Sequence, residues 1–151
     1  NLAATMDVLP TIAALTKSKL PDHKIDGLDI ISLLTGQPNA NPRDHFVYYY
    51  DNNSLKAVRQ GVWKLVFAHQ SQTYKATDMG KDGFPGKYAS VAVAMALYDL
   101  STDPGETLDV AKHNPAVLAA LNAIADSYRT ELGDDLTNKL GTQKRPAATI
   151  Q

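Results

Sequence analysis

The sequence contains no cysteine. That single absence excludes disulfides, thiolate metal sites and cysteine nucleophiles together. It leaves the compartment open, because a secreted bacterial domain of this size folds without disulfides. Neither sign of charge dominates: 15 Lys and Arg face 16 Asp and Glu, a net charge of -1. So balanced a chain has no electrostatic pull toward nucleic acid or an anionic membrane, and neither is expected as a partner. No apolar run approaches the roughly 20 residues that a membrane-spanning helix needs. There is no G-x-S-x-G, no glycine loop for a phosphate and no H-x-x-x-H pair. The four histidines, His23, His45, His69 and His113, fall in different segments, so no shared metal site is expected from them. The chain opens at Asn1-Leu2-Ala3-Ala4 with neither Met nor a secretory segment, and reads as a piece of a longer polypeptide.

What is present suits one domain of ordinary size: 151 residues, 44% hydrophobic and 21% charged. Asp7 is placed to cap a helix with Pro10 in its first turn, and Val8, Leu9, Ile12 and Leu15 share a face. Asp29 caps a short helix through Ile30, Ile31, Leu33 and Leu34, closed by Gly36. Residues 37–44 hold two prolines and three amides, a connector. The pattern then turns to strands. Residues 45–50 are aromatic and β-branched, and residues 57–59 and 62–67 flank Gln60-Gly61 as a hairpin. Residues 70–92 read as a long polar loop, of the kind that is usually functional. A short strand at residues 97–100 precedes a turn on Asp103-Pro104-Gly105. The last helix starts at Asn114-Pro115, carries Val117, Leu118, Leu121, Ile124, Ala125, Tyr128 and Leu132 on one side, and stops at Gly133. Residues 134–151 read as an exposed polar tail. The order predicts an α+β fold: a small antiparallel sheet of about four strands packed against a long C-terminal helix.

Asp51-Asn52-Asn53 at a strand end offers oxygen ligands, but one Asp and two Asn fit an Asx turn better than a calcium site. Arg59 and Lys64 are expected to make ion pairs on the sheet face, and Glu106 to fix its turn. Trp63 and Tyr98 are expected to be packing residues. His69, Tyr74 and Lys75, on the long polar segment, are the substrate-pocket candidates.

Four segments carry a resemblance. Asp7-Val8-Leu9-Pro10-Thr11-Ile12 resembles the D-[LIV]-x-P-T-[LIV] helix start near the end of the large domain of sulfatases. Asp26-Gly27-Leu28-Asp29 through Leu34-Thr35-Gly36 is similar to the D-G-x-[SD]-L-x-P-x-L-x-G segment that follows it. Residues 57–65 are similar to A-[VI]-R-x-G-x-[WY]-K-L. Leu97-Tyr98-Asp99-Leu100 with Asp103-Pro104-Gly105-Glu106 resembles L-[YF]-[DN]-L-x-x-D-P-x-E. The four stand in family order over residues 6–133, closest to the arylsulfatase A-like branch.

The resemblance implies a division at residue 44: residues 1–44 as the tail end of the large catalytic domain, and residues 45–133 as the C-terminal subdomain docked on it. It implies that the loop after the hairpin approaches the substrate cleft. It also implies a calcium ion and a formylglycine nucleophile in the full-length enzyme. The C/S-x-P-x-R motif that yields formylglycine is absent from this sequence. Asp51-Asn52 lies on the wrong side of the family order to serve as a calcium pair. No catalytic or metal-binding residue is therefore expected here, and the chain alone is expected to be inactive. Implied partners are the N-terminal catalytic domain and a sulfate ester, with a homodimer through exposed apolar surface as a further expectation. The implied location is periplasmic or secreted. Two alternatives stay open: a non-catalytic sulfatase-like binding module, and the same region of a phosphonate or phosphate ester hydrolase.

Overall fold

The computed structural model describes residues 1–75 and 80–143. The chain divides into a first unit, Asn1–Phe46, and a second, Val47–Gln151.

The first unit is small and is organised around a buried ion pair. A 3-10 turn at Thr5–Asp7 runs into α1, Val8–Thr16, and α2 spans Ile31–Leu34. Asp7 is wholly buried, and it does not cap α1 with its side chain as the sequence suggested. Its carboxylate instead accepts from the backbone N–H groups of Ala4 at 2.8 Å and Leu28 at 2.9 Å. It also pairs with the buried guanidinium of Arg43, from Nε at 3.3 Å and from Nη2. Thr11 extends the network: its hydroxyl donates to the Asp7 carbonyl and accepts from the Ile30 N–H. Close packing explains the glycine of Asp26-Gly27, since a Cβ there would sit 2.1 Å from the Met6 carbonyl oxygen. Gly36 closes α2 as expected, its N–H bonded to Leu33 and that of Gln37 to Ser32. The face of α1 carrying Val8, Leu9, Ile12 and Leu15 is real but uncovered, each residue more than half exposed.

The second unit is the α+β fold. A four-stranded antiparallel sheet has the order β1-β2-β3-β6, from His45–Tyr50, Ser54–Gln60, Trp63–Val66 and Ala96–Asp99. The β2–β3 hairpin turns on Gly61 and Val62 between the paired Gln60 and Trp63. Gly61 has φ +56°, the left-handed value that tight two-residue hairpins need at their first loop position. The 18-residue helix α3, Pro115–Leu132, lies on β2 and β3. Leu55, Val58, Leu65, Phe67 and Leu97 from the sheet region meet Leu121 and Ala125 from the helix in one core. Pro115 opens α3 at the favoured position. Asn114, however, gives its side-chain amide to the Val110 carbonyl rather than capping. Trp63 is half-buried at the core's edge, not enclosed in it.

Two further sequence readings change. The segment over residues 70–92 is not a structureless loop. β4, His69–Thr73, pairs antiparallel with β5, Ala89–Val93, as a separate two-stranded arm. The long polar stretch conceals two short strands around its glycines. The segment after Gly133 does not leave the fold at once either. Gly133–Asp134 (β7) pairs with Lys139–Leu140 (β8), and Asp134 is fully buried. Its Oδ1 accepts from the N–H groups of Leu55 and Leu136, and its Oδ2 accepts from Arg129 Nε at 3.0 Å. This ties the end of α3 to β2. Residues 144–151 of the expected tail lie outside the described residues.

Candidate functional site

The candidate site is the β4–β5 arm, which begins two residues after β3. Its register pairs His69 with Val93, Ser71 with Val91 and Thr73 with Ala89. Strand side chains alternate between faces. One face therefore carries His69, Ser71 and Thr73 with Val93, Val91 and Ala89. The other carries Gln70 and Gln72 with Ala92 and Ser90, all exposed. Tyr74 follows the end of β4 and Tyr88 precedes β5, 50% and 56% exposed.

The structure thus separates the three sequence candidates. His69 opens β4, half-buried, its Nδ1 2.7 Å from the Phe67 carbonyl oxygen. Tyr74 and Lys75 follow the far end of the strand, where Thr73 stands roughly 13 Å from His69 at the usual rise. The sequence reading missed Tyr88 and Lys87, which return on the opposite side of the arm and are exposed. The signal was available in the β-branched alternation of residues 89–93, but Gly80, Gly83, Pro85 and Gly86 masked it.

Several charged residues outside the arm hold local structure. Lys64 Nζ pairs with Glu106 at 2.5 Å and lies 5.2 Å from the centre of the Tyr48 ring. Arg59 Nε donates to the Gly61 carbonyl. Asp103 organises its turn by accepting from the N–H groups of Leu108 and Thr107 and from the Thr107 hydroxyl. The Leu108 bond, with those from Thr107, holds its carboxyl below the ordinary value. Asp109 bonds the N–H groups of Leu97 and Ala111, which lower its pKa. Asp51 sits in a turn and pairs with Lys56 at 2.8 Å. Among the described residues, no three His, Cys, Asp or Glu side chains come together as a metal site.

The family model for the C-terminal region of aryl-sulfatase matches residues 41–150. Human arylsulfatase A is 36% identical over 135 residues, covering 82% of this chain and 26% of that protein. Mouse steryl-sulfatase is 32% identical, covering 84% of this chain and 22% of its own. An N-acetylgalactosamine-6-O-sulfatase of Bacteroides thetaiotaomicron is 30% identical, covering 85% and 24%. The chain spans about a quarter of the length of these curated relatives. A solved structure from work on glycosaminoglycan metabolism by Bacteroides thetaiotaomicron superposes with a TM-score of 0.59 at 29% identity, over 83% of this chain and 24% of that one. A sulfatase from Pseudoalteromonas sp. superposes at 0.61 over 81% and 24%, but at 15% identity it speaks to the fold alone. The motifs that the structure realises as the β2–β3 hairpin and the Asp103 turn lie within the matched residues, and the chain belongs to this family as the C-terminal region of an aryl-sulfatase-type protein.

Proposed function

We propose that the whole polypeptide hydrolyses sulfate esters and that this region walls the substrate pocket without supplying the reacting groups. The observation that carries this reading is the family match across residues 41–150. The hydrolase supplies a calcium-bound formylglycine as nucleophile, and the residues present here do not fit either group. The sequence has no cysteine and no S-x-P-x-R, and the described residues hold no carboxylate cluster able to take calcium. Both belong to the N-terminal catalytic domain, so no step of the reaction runs through this chain.

On this reading, residues 1–44 are the end of the catalytic domain, and the exposed apolar face of α1 is its severed packing surface. Residues 45–133 form the C-terminal subdomain. The arm from His69 to Lys75 lies at the rim of the pocket, where Tyr74 and Lys75 donate hydrogen bonds to the substrate. No helix among the described residues is long and apolar enough to cross a membrane, and the proposed location is periplasmic or secreted. The exposed α1 face also makes the isolated chain prone to pair with a second copy.

The test is turnover of 4-nitrophenyl sulfate by the full-length protein and by this chain. Calcium-dependent turnover by the former and none by the latter is expected. A full-length protein that cleaves a phosphonate or phosphate ester instead would transfer the chain to the related hydrolases. One that binds sulfate esters without turnover would make it a binding module.

A further inference from the structure

We infer that Arg59, on the sheet face turned away from α3, is a docking anchor that pairs with a carboxylate of the catalytic domain outside this chain. This names a contact for the domain proposed above, and it rests on that reading. The register sets Arg59 of β2 directly opposite Lys64 of β3, and Lys64 directly opposite Tyr98 of β6. The neighbouring rung, Val58, Leu65 and Leu97, is fully buried in the core that α3 completes. Strand side chains alternate between faces, so Arg59, Lys64 and Tyr98 stand together on the face away from the helix.

Two cations directly across a strand pair repel each other. Lys64 is answered: Glu106 pairs with it at 2.5 Å, and the Tyr48 ring centre lies 5.2 Å away. Arg59 is not. Its Nε donates to the Gly61 carbonyl at 3.1 Å, and no carboxylate among the described residues pairs with it. Its two Nη groups remain, a fork that matches the two oxygens of a carboxylate. The rung therefore holds two cations and one anion, and a second anion would complete it. The source of that anion follows from shape and from length. Small-molecule sites are concave, whereas this rung is spread across the face of a sheet, the kind of surface on which another protein layer packs. One layer, α3, already covers the opposite face. The chain spans about a quarter of the length of its curated relatives. On the reading above, the remainder is the catalytic domain, and it supplies the second layer.

The test uses Arg59→Lys and Arg59→Glu. In the full-length Arg59→Lys protein, carbodiimide coupling followed by peptide mapping should join residue 59 to an Asp or Glu outside this chain. Hydrogen exchange gives the energetic readout. In the full-length protein Arg59→Glu should raise exchange across β2 and β3 about ten- to a hundredfold, the loss of one charged hydrogen bond. In this chain alone the same variant sets opposite charges across the strand pair, so exchange should be unchanged or slower. The inference is overturned by a residue-59 link that stays within this chain or joins two copies, or by no link to the catalytic domain. It is equally overturned by unchanged exchange in full-length Arg59→Glu, or by the same rise in this chain alone. Hydrolysis of 4-nitrophenyl sulfate by the full-length wild type is the separate control. Turnover without the contact overturns only the docking; the contact without turnover overturns only the sulfatase reading.

Discussion

Asp7→Asn is the sharpest test of how the first unit holds together. The substitution keeps the volume and removes the charge. In the wild type the buried carboxylate satisfies two backbone N–H groups, from Ala4 and Leu28, and the buried Arg43 guanidinium. Each carboxylate oxygen takes two donors, and an asparagine offers one oxygen, so two donors lose their acceptor and face an NH2 group instead. The larger effect is on Arg43, which becomes a buried cation without a counter-charge. Removing one partner of such a pair costs about 3–5 kcal/mol. An exposed pair would cost less than about 1 kcal/mol. The described core of the first unit has little apolar reserve, with Ala13 and Ile30 its buried hydrophobic residues. A loss of that size should therefore unfold it in water.

Urea titration followed by two-dimensional NMR separates the units. The amides of Ala4 and Leu28 report the first, and that of Leu65 the second. In Asp7→Asn the first set should be lost or strongly shifted to lower urea, with Leu65 unchanged. The acid limb gives an independent check. Burial pushes the Asp7 carboxyl up, but the Arg43 bond and the Leu28 and Ala4 donors outweigh it and hold the pKa below the ordinary 3.8. The stability it contributes is thus complete above pH 3.8 and is lost as pH falls through the lower folded value. The wild-type unit should loosen only in that acid range. A change under about 1 kcal/mol in Asp7→Asn would show that the pair behaves as an exposed one, and the argument would fail.

The second unit makes its own predictions. Asp134→Ala strips Leu55 and Leu136 of their acceptor and leaves Arg129 half-paired. It should cost about 3–5 kcal/mol by urea denaturation followed at Leu65. Tyr49, whose hydroxyl donates to the Gly133 carbonyl, has its pKa pushed up to about 12 by burial first and by Asp134 second. Ultraviolet titration should show it ionising near 12 and not at the ordinary 10, and stability should fall as pH rises from 10 toward 12. Gly27→Ala drives a methyl group into the Met6 carbonyl and should loosen the first unit by about 1–3 kcal/mol in the same NMR titration. Val8→Ser/Ile12→Ser removes apolar surface that already faces solvent. It should change stability by less than about 0.5 kcal/mol while abolishing any concentration-dependent association in sedimentation.

The local elements were legible because each carries its own chemistry. Pro115 at the first helical position and Gly133 past the last turn mark α3 whatever surrounds it. The aromatic and β-branched run over residues 45–50 is β1 residue for residue. The arm was read as a loop because its strands are short and polar and its glycines spoke louder than its alternation. Strand pairing depends on a partner 20 residues away, and no local propensity reports that. The same limit hid the arm: Gln70 and Gln72 meet Ala92 and Ser90 only through the register of β4 and β5.

By itself, the sequence determined the family, the two helices that matter, the central hairpin and the absence of a C/S-x-P-x-R motif, since each follows from residue type and spacing along the chain. Only the tertiary structure decided that Asp7 is a buried ion and not a cap, that Asp134 belongs to the core and not to a tail, and that His69 stands apart from Lys75. A carboxylate's role is set by which donors and cations fold around it, and those arrive from positions as distant as Arg43 from Asp7 and Leu55 from Asp134.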